Sequence, residues 1–446
     1  MNRIGRWIGF VVPVAFFFLA FPGLALAAEE PAGLDAGDTA WMMTSCAMVL
    51  LMTPGLAFFY GGLVRRKNVL SVLVQCFMAM CIITVAWVVL GYSLAFSGDI
   101  GSGNLGGVIG GFDHFLLRGV GYEVRDGTIP HMLFMIFQCM FAIITPALIV
   151  GAFAERLKFG AYCVYIVLWL FLVYCPVCHW VWGEAKGFFG LGNNGALDFA
   201  GGTVVHINAG VSALVCAIVL GKRQGYPEKT SPPHNLPFAV LGAGRLWFGG
   251  FGFTAGSAGA ANASASNAFV VTHIATAAAG LTWAILDWIL TKKPTCLGII
   301  TGVVAGLVAI TPASGSVNPI GALCVGGGAS IFAFIAINLK VKLKYDDSLD
   351  VFGVHGVAGI WGALATGLWA TSMVPGNEAN GLFYGNPIQL LHQVKAVAFT
   401  IVWSGSISFI LLKLIDATIG LRAENRNEQV GLDLTEHAET AYTLVD

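Results

Sequence analysis

The stretch Asp198-Phe-Ala-Gly-Gly-Thr-Val-Val-His206 places an acid and a histidine at the start of a long apolar segment. Ionisable groups at membrane depth cost about 2.5–3.5 kcal/mol each on insertion scales, so they usually mark the path of a substrate or an ion. A second acid and histidine, Asp350 and His355, begin another apolar segment much later in the chain. The sequence therefore predicts a fold that brings the two histidines together.

The composition of the chain decides its class. Of its 446 residues, 57% are hydrophobic and only 11% are charged, whereas soluble globular proteins carry about 25% charged residues. We therefore predict an all-α polytopic membrane protein. The formal charge of −1 gives no basis for a nucleic-acid partner, and the 58 glycines suit helices whose backbones pack closely in lipid.

Residues 1–28 have the pattern of a secretory signal peptide. Arg3 and Arg6 precede an apolar core at residues 8–19, and small residues at 25–27 offer a cleavage site. The alternative is a first helix that is retained. In both cases residue 38 begins on the outer side, and we predict a helical membrane domain at residues 29–419 and a cytoplasmic tail at residues 420–446.

Eleven apolar segments are long enough to cross about 30 Å of hydrocarbon. The first histidine falls on the fifth segment and the second on the tenth, so two five-span halves would be inverted relative to each other, followed by a final helix. Inverted repeats place a substrate site at their interface near the midplane. The predicted spans are residues 38–62, 69–97, 130–153, 161–182, 198–220, 236–257, 266–290, 296–313, 320–339, 351–373 and 394–419.

The distribution of positive charge orients these spans. Most lysines and arginines fall in the predicted inner loops, and the outer loops hold only Arg118, Arg125, Lys186 and Lys395. Cytoplasmic loops carry the excess of Lys and Arg in membrane proteins. We therefore predict a protein of the bacterial cytoplasmic (inner) membrane with its N-terminus outside and its C-terminus inside.

Two short motifs suggest cofactors but lie in the wrong context. Residues 101–106 fit G-x-G-x-x-G, yet no strand precedes them, as a dinucleotide site requires. Residues 175–179 fit the haem-attachment pattern C-x-x-C-H, yet they lie in a bulky apolar run with no room for a macrocycle. Most of the ten cysteines stand singly in apolar runs, where cysteine behaves as a small hydrophobe. We expect no cofactor, no metal and no disulfide framework.

The histidine pair is the strongest sign of function. A lone histidine on an apolar face is usually a core residue, but two histidines on symmetry-related spans favour a shared role. Burial favours the neutral form of imidazole, so a pair bridged by one proton would line a narrow pore with polar groups and no net charge. Ligation of a metal or haem is the competing interpretation, although no third ligand with suitable spacing is present.

Aromatic residues and a serine cluster in the outer halves of several spans. A small cation over aromatic faces gains about 0.5–2 kcal/mol, and a hydroxyl can accept the hydrogen bond that a protonated amine offers and an alkali ion does not. The alternative is an interfacial aromatic belt. Asp198 would either sense the cation or cap the fifth helix. The clustered residues are Phe137, Phe141, Trp182, Phe253 and Ser257.

Five long motifs follow one another along the chain: FYGGLVRRKNVL at 59–70, DFAGGTVVHINA at 198–209, FGFTAGSAG at 251–259, DDSLDVFGVHG at 346–356 and GLDLTEHAETAY at 431–442. They resemble the motifs of the ammonium transporter family (Amt/Mep/Rh), and specifically those of bacterial Amt proteins. The resemblance implies a homotrimer of eleven-helix protomers with one pore in each. It also implies that a PII-type regulatory protein meets the tail and the inner loops.

The resemblance further assigns residues to successive depths of each pore. It implies outer recruitment by Trp182, Phe137 and Ser257 with Asp198 in support, a gate of Phe141 and Phe253, and the pore histidines His206 and His355. We therefore predict transport of ammonium, which is deprotonated on the way and passes as ammonia, and no enzymatic activity. An ammonium sensor with little transport is the alternative.

Some residues depart from the family pattern. Members of the family often carry a bulky apolar residue, a Trp and an Asn near Arg245, Gly250 and Thr254, and a Gly in place of Ala438. Arg245 lies well inside the sixth span. It would either snorkel toward the inner surface or pair with an acid such as Asp287.

Overall fold

The computed structural model describes residues 32–100, 107–125, 127–228 and 232–442. The predicted signal peptide and the G-x-G-x-x-G motif lie outside these described residues. Within them the secondary structure consists of helices and isolated β-bridges, with no strand. The predicted all-α class is confirmed.

Nine helices in this described part of the chain are long and apolar enough to cross a membrane. They are α1 (Ala36–Leu63), α2 (Arg66–Phe96), α3 (His131–Phe153), α4 (Phe159–Val181), α5 (Gly202–Leu220), α7 (Ala263–Thr291), α8 (Cys296–Ala313), α9 (Pro319–Leu343) and α11 (Pro387–Thr418). Two further helices, α6 (Leu236–Ala255) and α10 (residues 352–369), lie between them in the sequence. Both are rich in glycine, which adds helix length with little apolar surface.

Two helix pairs form the centre of the bundle. α1 packs along α6, and α5 crosses α10. α3 lies against α5 as α8 lies against α10, and α11 contacts both α5 and α10. This arrangement holds the segments that carry His206 and His355 at the middle of the molecule.

A network of charges closes one end of the bundle, which we call the basic end because Arg65, Arg156 and Arg223 lie there. The guanidinium of Arg156 is fully buried, and its Nη1 lies 2.9 Å from Oδ2 of Asp346. Arg223 binds the same carboxylate through Nη2 at 2.8 Å, and Arg65 binds Glu155 at 2.8 Å. These residues come from the loops after α1, α3, α5 and α9, so the network ties four loops together.

Two adjacent carboxyls at the basic end have opposite environments. Burial by itself would raise the pKa of Asp346, but the hydrogen bonds and charges of Arg223 and Arg156 outweigh burial and hold that pKa below its ordinary value. Burial raises the pKa of the neighbouring Asp347 to about 6, although the charge of Lys340 opposes the shift. Asp346 is therefore the fixed negative charge of the network.

The tail folds onto the basic end. A carboxylate oxygen of Asp433 accepts a hydrogen bond of 2.8 Å from the amide of Ser71 in α2, and the hydroxyl of Tyr442 lies 2.8 Å from Nε2 of His234 in the loop before α6. The tail thus contacts two separate parts of the bundle. Its helices are α12 (Asn425–Val430) and α13 (Leu432–His437).

Candidate functional site

The two histidines singled out in the sequence meet where α5 crosses α10. Nδ1 of His355 lies 3.3 Å from Nδ1 of His206, and the rings stack with their centroids 5.4 Å apart. Each histidine lies in a π-helical turn, Gly202–Ile207 in α5 and Phe352–Val357 in α10. Such turns are rare and occur frequently at functional sites. Their presence at both histidines therefore indicates that this crossing is a functional site.

Glycines let the two helices approach closely enough for the imidazoles to touch. A Cβ atom added to Gly210 would lie 2.2 Å from the backbone nitrogen of Gly356, and one added to Gly359 would lie 3.2 Å from Cβ of His206. Small residues at such crossings allow the backbones of membrane helices to pack directly. The distance between the histidines therefore depends on glycine at position 210.

Gly210→Ala is expected to destabilise the protein, because the methyl group meets backbone atoms that cannot rotate away. Overpacking of this kind costs about 1–3 kcal/mol or more, and we expect a clear fall in the thermal midpoint of the purified protein in detergent. Gly405→Ala in α11 is the matched control, since its new Cβ would make an ordinary 3.5 Å contact with Val211. Equal midpoints for the two variants would contradict the close crossing.

Counting donors and acceptors assigns the protons of the histidine pair. Oγ1 of Thr311 donates to the carbonyl of Leu307 at 2.8 Å, so it accepts the hydrogen bond from Nε2 of His206 at 3.2 Å. His206 then has a lone pair on Nδ1, and Nδ1 of His355 is the donor to it. His355 keeps its lone pair on Nε2. In this arrangement both imidazoles are neutral.

Aromatic rings continue this column away from the basic end. The ring of Phe253 lies 6.1 Å from His206, and the ring of Phe141 lies 4.2 Å from Phe253. The rings of Trp182 and Phe137 lie 5.5 Å and 5.0 Å from Phe141. The structure thus brings all four predicted aromatic residues together, with Phe141 and Phe253 between Trp182 and the histidines.

Ser257 lies just after α6, one helical turn beyond Phe253. Its hydroxyl donates to the carbonyl of Phe253 at 2.9 Å, which leaves its oxygen lone pairs able to accept from a ligand. A Cβ on the adjacent Gly256 would lie 2.9 Å from the ring of Phe137. The serine therefore sits at the same end of the column as the aromatic residues predicted to act with it.

The carboxylate of Asp198 binds the N-terminus of α5. Its two oxygens accept hydrogen bonds from the amides of residues 201–204 and from the hydroxyl of Thr203. Its carbonyl accepts a hydrogen bond of 2.8 Å from Nε1 of Trp182. Of the two alternatives raised by the sequence, capping is the one that the geometry displays. Asp198 also positions the Trp182 indole.

Asp350 does not join His355, although the two stand five residues apart in the sequence. It forms an ion pair with Lys340 at the basic end and lies in a turn with a φ of 60°. The residue that binds the start of α10 is Asp347, whose Oδ2 accepts a 2.7 Å hydrogen bond from the amide of Phe352. Asp350 therefore belongs to the loop before α10 and not to the site of His355.

Two cavities meet at the histidine pair. A cavity of about 430 Å³ at the basic end is lined by His355 together with Glu155, Arg223 and Asp350. A second cavity of about 30 Å³ is lined by Phe253, His206 and His355. Because His355 borders both cavities, the histidines form a neck between them.

The C-x-x-C-H motif is part of the packed interior. Sγ of Cys175 donates to the carbonyl of Gly91, and the ring nitrogens of His179 contact the carbonyl of Ala95 at 3.0 Å and the carboxylate of Asp99 at 2.9 Å. Within the described ranges, no group of three or more His, Cys, Asp or Glu residues could hold a metal ion.

Arg245 lies against an aromatic ring. Its guanidinium carbon is 4.7 Å from the ring centroid of Phe58, a cation–π contact. Asp287, the partner suggested from the sequence, accepts hydrogen bonds from the amide and hydroxyl of Thr295. The structure therefore shows a third arrangement, which differs from the two expected from the sequence.

Comparison with known proteins identifies the family of this chain. The model of the Ammonium Transporter Family matches residues 40–442. The chain belongs to the ammonium transporter family. It is 48% identical over 413 residues to an ammonium transporter of Bacillus subtilis, covering 92% of this chain and 99% of that relative. The family predicted from the sequence motifs, with its bacterial members, is confirmed, as is a transporter in place of an enzyme.

Solved structures of the ammonium transporter family share the fold. Candida albicans Mep2 superposes with a TM-score of 0.83 at 34% identity, covering 90% of this chain and 89% of that one. A structure named Sensor Amt Protein superposes with a TM-score of 0.81 at 28% identity, covering 90% of this chain and 98% of that one. The chain is thus a multi-pass membrane protein of this family along most of its length.

Proposed function

We propose that this protein moves ammonium across the membrane by binding the ion at the outer end of the column, removing its proton and passing ammonia between His206 and His355. The observation that carries the proposal is the neck, where two neutral imidazoles touch below a stack of apolar rings. Transfer of an intact ion into such surroundings is costly, whereas ammonia carries no charge. Potassium has no proton to give up, so the same neck excludes it.

Recruitment is assigned to Trp182, Phe137 and Ser257. The two rings offer their faces to a cation, and the Ser257 oxygen accepts one of its N–H groups. Asp198 supports the site by holding the Trp182 indole through its carbonyl. A protonated amine satisfies both kinds of contact at once.

The gate is assigned to Phe141 and Phe253. Their rings are 1% and 2% exposed and their centroids lie 4.2 Å apart, which leaves no open path between them. Passage therefore requires one ring to rotate, a side-chain motion that costs little backbone rearrangement. Removal of water at this point favours the neutral ammonia over the ion.

The membrane topology is proposed as eleven spans after a cleaved signal peptide. α6 and α10 would cross together with the nine apolar helices, because α6 packs along α1 and α10 crosses α5. The two five-helix halves would then be inverted repeats with the histidines at their interface. The basic end faces the cytoplasm of the inner membrane, so the C-terminus is inside and the N-terminus outside.

The assembly is proposed as a homotrimer with one pore in each protomer. The tail, residues 420–446, is proposed as a regulatory segment that meets a PII-type protein together with the loops of the basic end. The contacts of Asp433 with Ser71 and of Tyr442 with His234 support this role, since they link the tail to separate parts of the bundle. A partner that shifts the tail would therefore act on α2 and on the loop before α6.

A sensor is the second candidate function, favoured by the likeness to the structure named Sensor Amt Protein. A sensor would use the same recruitment site and signal through the tail, with little transport. The 48% identical relative is named an ammonium transporter, which favours transport.

The test is an ammonium concentration jump applied to proteoliposomes, with current and internal pH recorded together and potassium as the control ion. We expect an ammonium-specific response that potassium does not produce, because potassium cannot be deprotonated. Current without a rise in internal pH indicates that the proton crosses too, because ammonia and its proton then arrive together. A rise in internal pH without current indicates passage of ammonia as a gas. Absence of both a current and a change in internal pH would reject transport and leave the sensor as the candidate function.

A further inference from the structure

Ser45 of α1 carries a buried hydroxyl group that no other part of the described chain satisfies. The residue is 0% exposed, and its Oγ has no hydrogen-bond partner among the residues that the structure describes. The neighbouring Thr44, by contrast, donates from its hydroxyl to the carbonyl of Ala40 at 2.9 Å, a common bond for a hydroxyl inside a helix. Buried polar atoms are nearly always hydrogen-bonded in folded proteins, so an exception points to a partner that is present only part of the time.

The Ser45 hydroxyl lies beside the residues assigned to recruitment. A Cβ atom added to Gly256 would lie 2.9 Å from Oγ of Ser45 and 2.9 Å from the ring of Phe137. Ser257 follows Gly256 directly in the chain. Trp41, one turn before Ser45, donates from Nε1 to the carbonyl of the residue before Gly256 at 3.4 Å. This end of α1 is therefore held against the end of α6 that carries the recruitment serine.

The helix face that carries Ser45 also lines the column. Met52 stands seven residues after Ser45, about two helical turns, so the two side chains project from the same side of α1. Met52 lines the small cavity together with Phe253 and His206. At about 1.5 Å per residue, Ser45 lies about 10 Å further toward the outer end than Met52 does. The hydroxyl is thus placed along the path of the substrate, before the histidines.

Ser45 and Ser257 differ in what their hydroxyl groups can offer to a ligand. The hydrogen of the Ser257 hydroxyl is committed to the carbonyl of Phe253 at 2.9 Å, so its oxygen can only accept. The hydrogen of the Ser45 hydroxyl has no acceptor in the described part of the chain. Ammonium presents N–H donors alone, whereas ammonia has a lone pair that needs a donor. Of the two serines, Ser45 is therefore the one that can donate to ammonia.

We propose that Ser45 is a specificity-determining residue that binds ammonia, donating its hydroxyl hydrogen to the nitrogen lone pair once ammonium has lost its proton. The rings of Phe137 and Phe141 supply no such donor, so ammonia would otherwise leave water without a replacement for this hydrogen bond. The Ser45 hydroxyl keeps its own hydrogen and takes no proton from the substrate. This inference rests on the proposed transport function and adds a residue of α1 to its outer site.

The test measures the initial rate of the ammonium-specific response of proteoliposomes, as current or rise in internal pH, over a range of ammonium concentrations. We expect Ser45→Ala to lower the maximal rate by about tenfold and to leave the half-saturating concentration nearly as it is, because the lost hydrogen bond forms only after recruitment. Ser257→Ala should instead raise the half-saturating concentration. Thr44→Ala is the matched control, since the Thr44 hydroxyl is exposed and bound within its own helix, and it should change neither quantity.

Ser45→Cys separates hydrogen bonding from packing. The thiol is close in size to the hydroxyl but is a weak donor, so we expect this variant to be as slow as Ser45→Ala. A maximal rate equal to that of the unmodified protein in either variant would overturn the role of Ser45 while leaving the proposed function standing. Absence of any ammonium response in the unmodified protein would reject the proposed function, and this inference with it.

Discussion

His206→Ala is expected to reduce the selectivity for ammonium over potassium by about tenfold or more, because a space that holds water lowers the desolvation cost that otherwise excludes potassium. The substitution removes the acceptor of Nδ1 of His355 and the donor to Thr311, which lie 3.3 Å and 3.2 Å from His206. Water would then fill the space below Phe253 and bridge the polar groups left behind. Ammonium-evoked and potassium-evoked currents in proteoliposomes measure the change.

His273→Ala is the control for that variant. His273 is exposed on α7 and its ring packs at a tilt against Trp247 with ring centroids 5.3 Å apart. Its removal should leave both currents as they are. An ammonium-specific current that survives unaltered in His206→Ala would mean that the histidine pair does not select the substrate.

Asp346→Ala is expected to have the largest effect on stability. It leaves the fully buried guanidinium of Arg156 without its carboxylate, and breaking a buried pair in this way costs about 3–5 kcal/mol. We expect a marked fall in the thermal midpoint of the purified protein and loss of folded material on size-exclusion chromatography. Arg223 loses the same partner, which adds to the effect.

The pH dependence of this contribution follows from its sign. Because the pKa of Asp346 is lowered on folding, the stabilisation is complete above the ordinary value of 3.8 and is lost as the pH falls below it. Glu184→Gln is the control, since its ion pair with Arg125 is exposed on the glutamate side and worth about 0–1 kcal/mol. Equal midpoints for the two variants at neutral pH would show that the charge network does not hold the loops.

Sequence alone predicted the all-α class and the meeting of the two histidines. Apolar length located the nine helices of the described residues that are long and apolar enough to cross a membrane, and the spacing of His206 and His355 on related segments predicted that they meet. The motifs then supplied Trp182, Phe141 and Phe253, which the structure places in one stack. Apolar length and the motifs are local signals, and the two histidine-bearing segments are a repeated one, so all of them can be recognised in a single sequence.

Other features depend on which atoms meet across the fold, and no local pattern carries them. The crossing of Gly210 with Gly356 and the bond of His206 to Thr311 join residues more than a hundred positions apart. The π-helical turns at the two histidines were likewise not predicted from the sequence. Asp198 could be read in two ways until the backbone amides of α5 were located.

The hydrogen bonds of the histidine column have a direction, and this restricts how charge could cross. The protons of the two imidazoles point away from the basic end, from His355 to His206 and from His206 to Thr311, whereas the hydroxyl of Thr311 turns back to the carbonyl of Leu307. A chain oriented in this way can take up a proton only at Nε2 of His355. Inward conduction first requires the whole chain to reverse and then to reset after every ion. Passage of ammonia needs neither step. A turnover rate that is limited by the reset of the chain, and is therefore independent of voltage, would indicate a proton relay in place of a passage for gas.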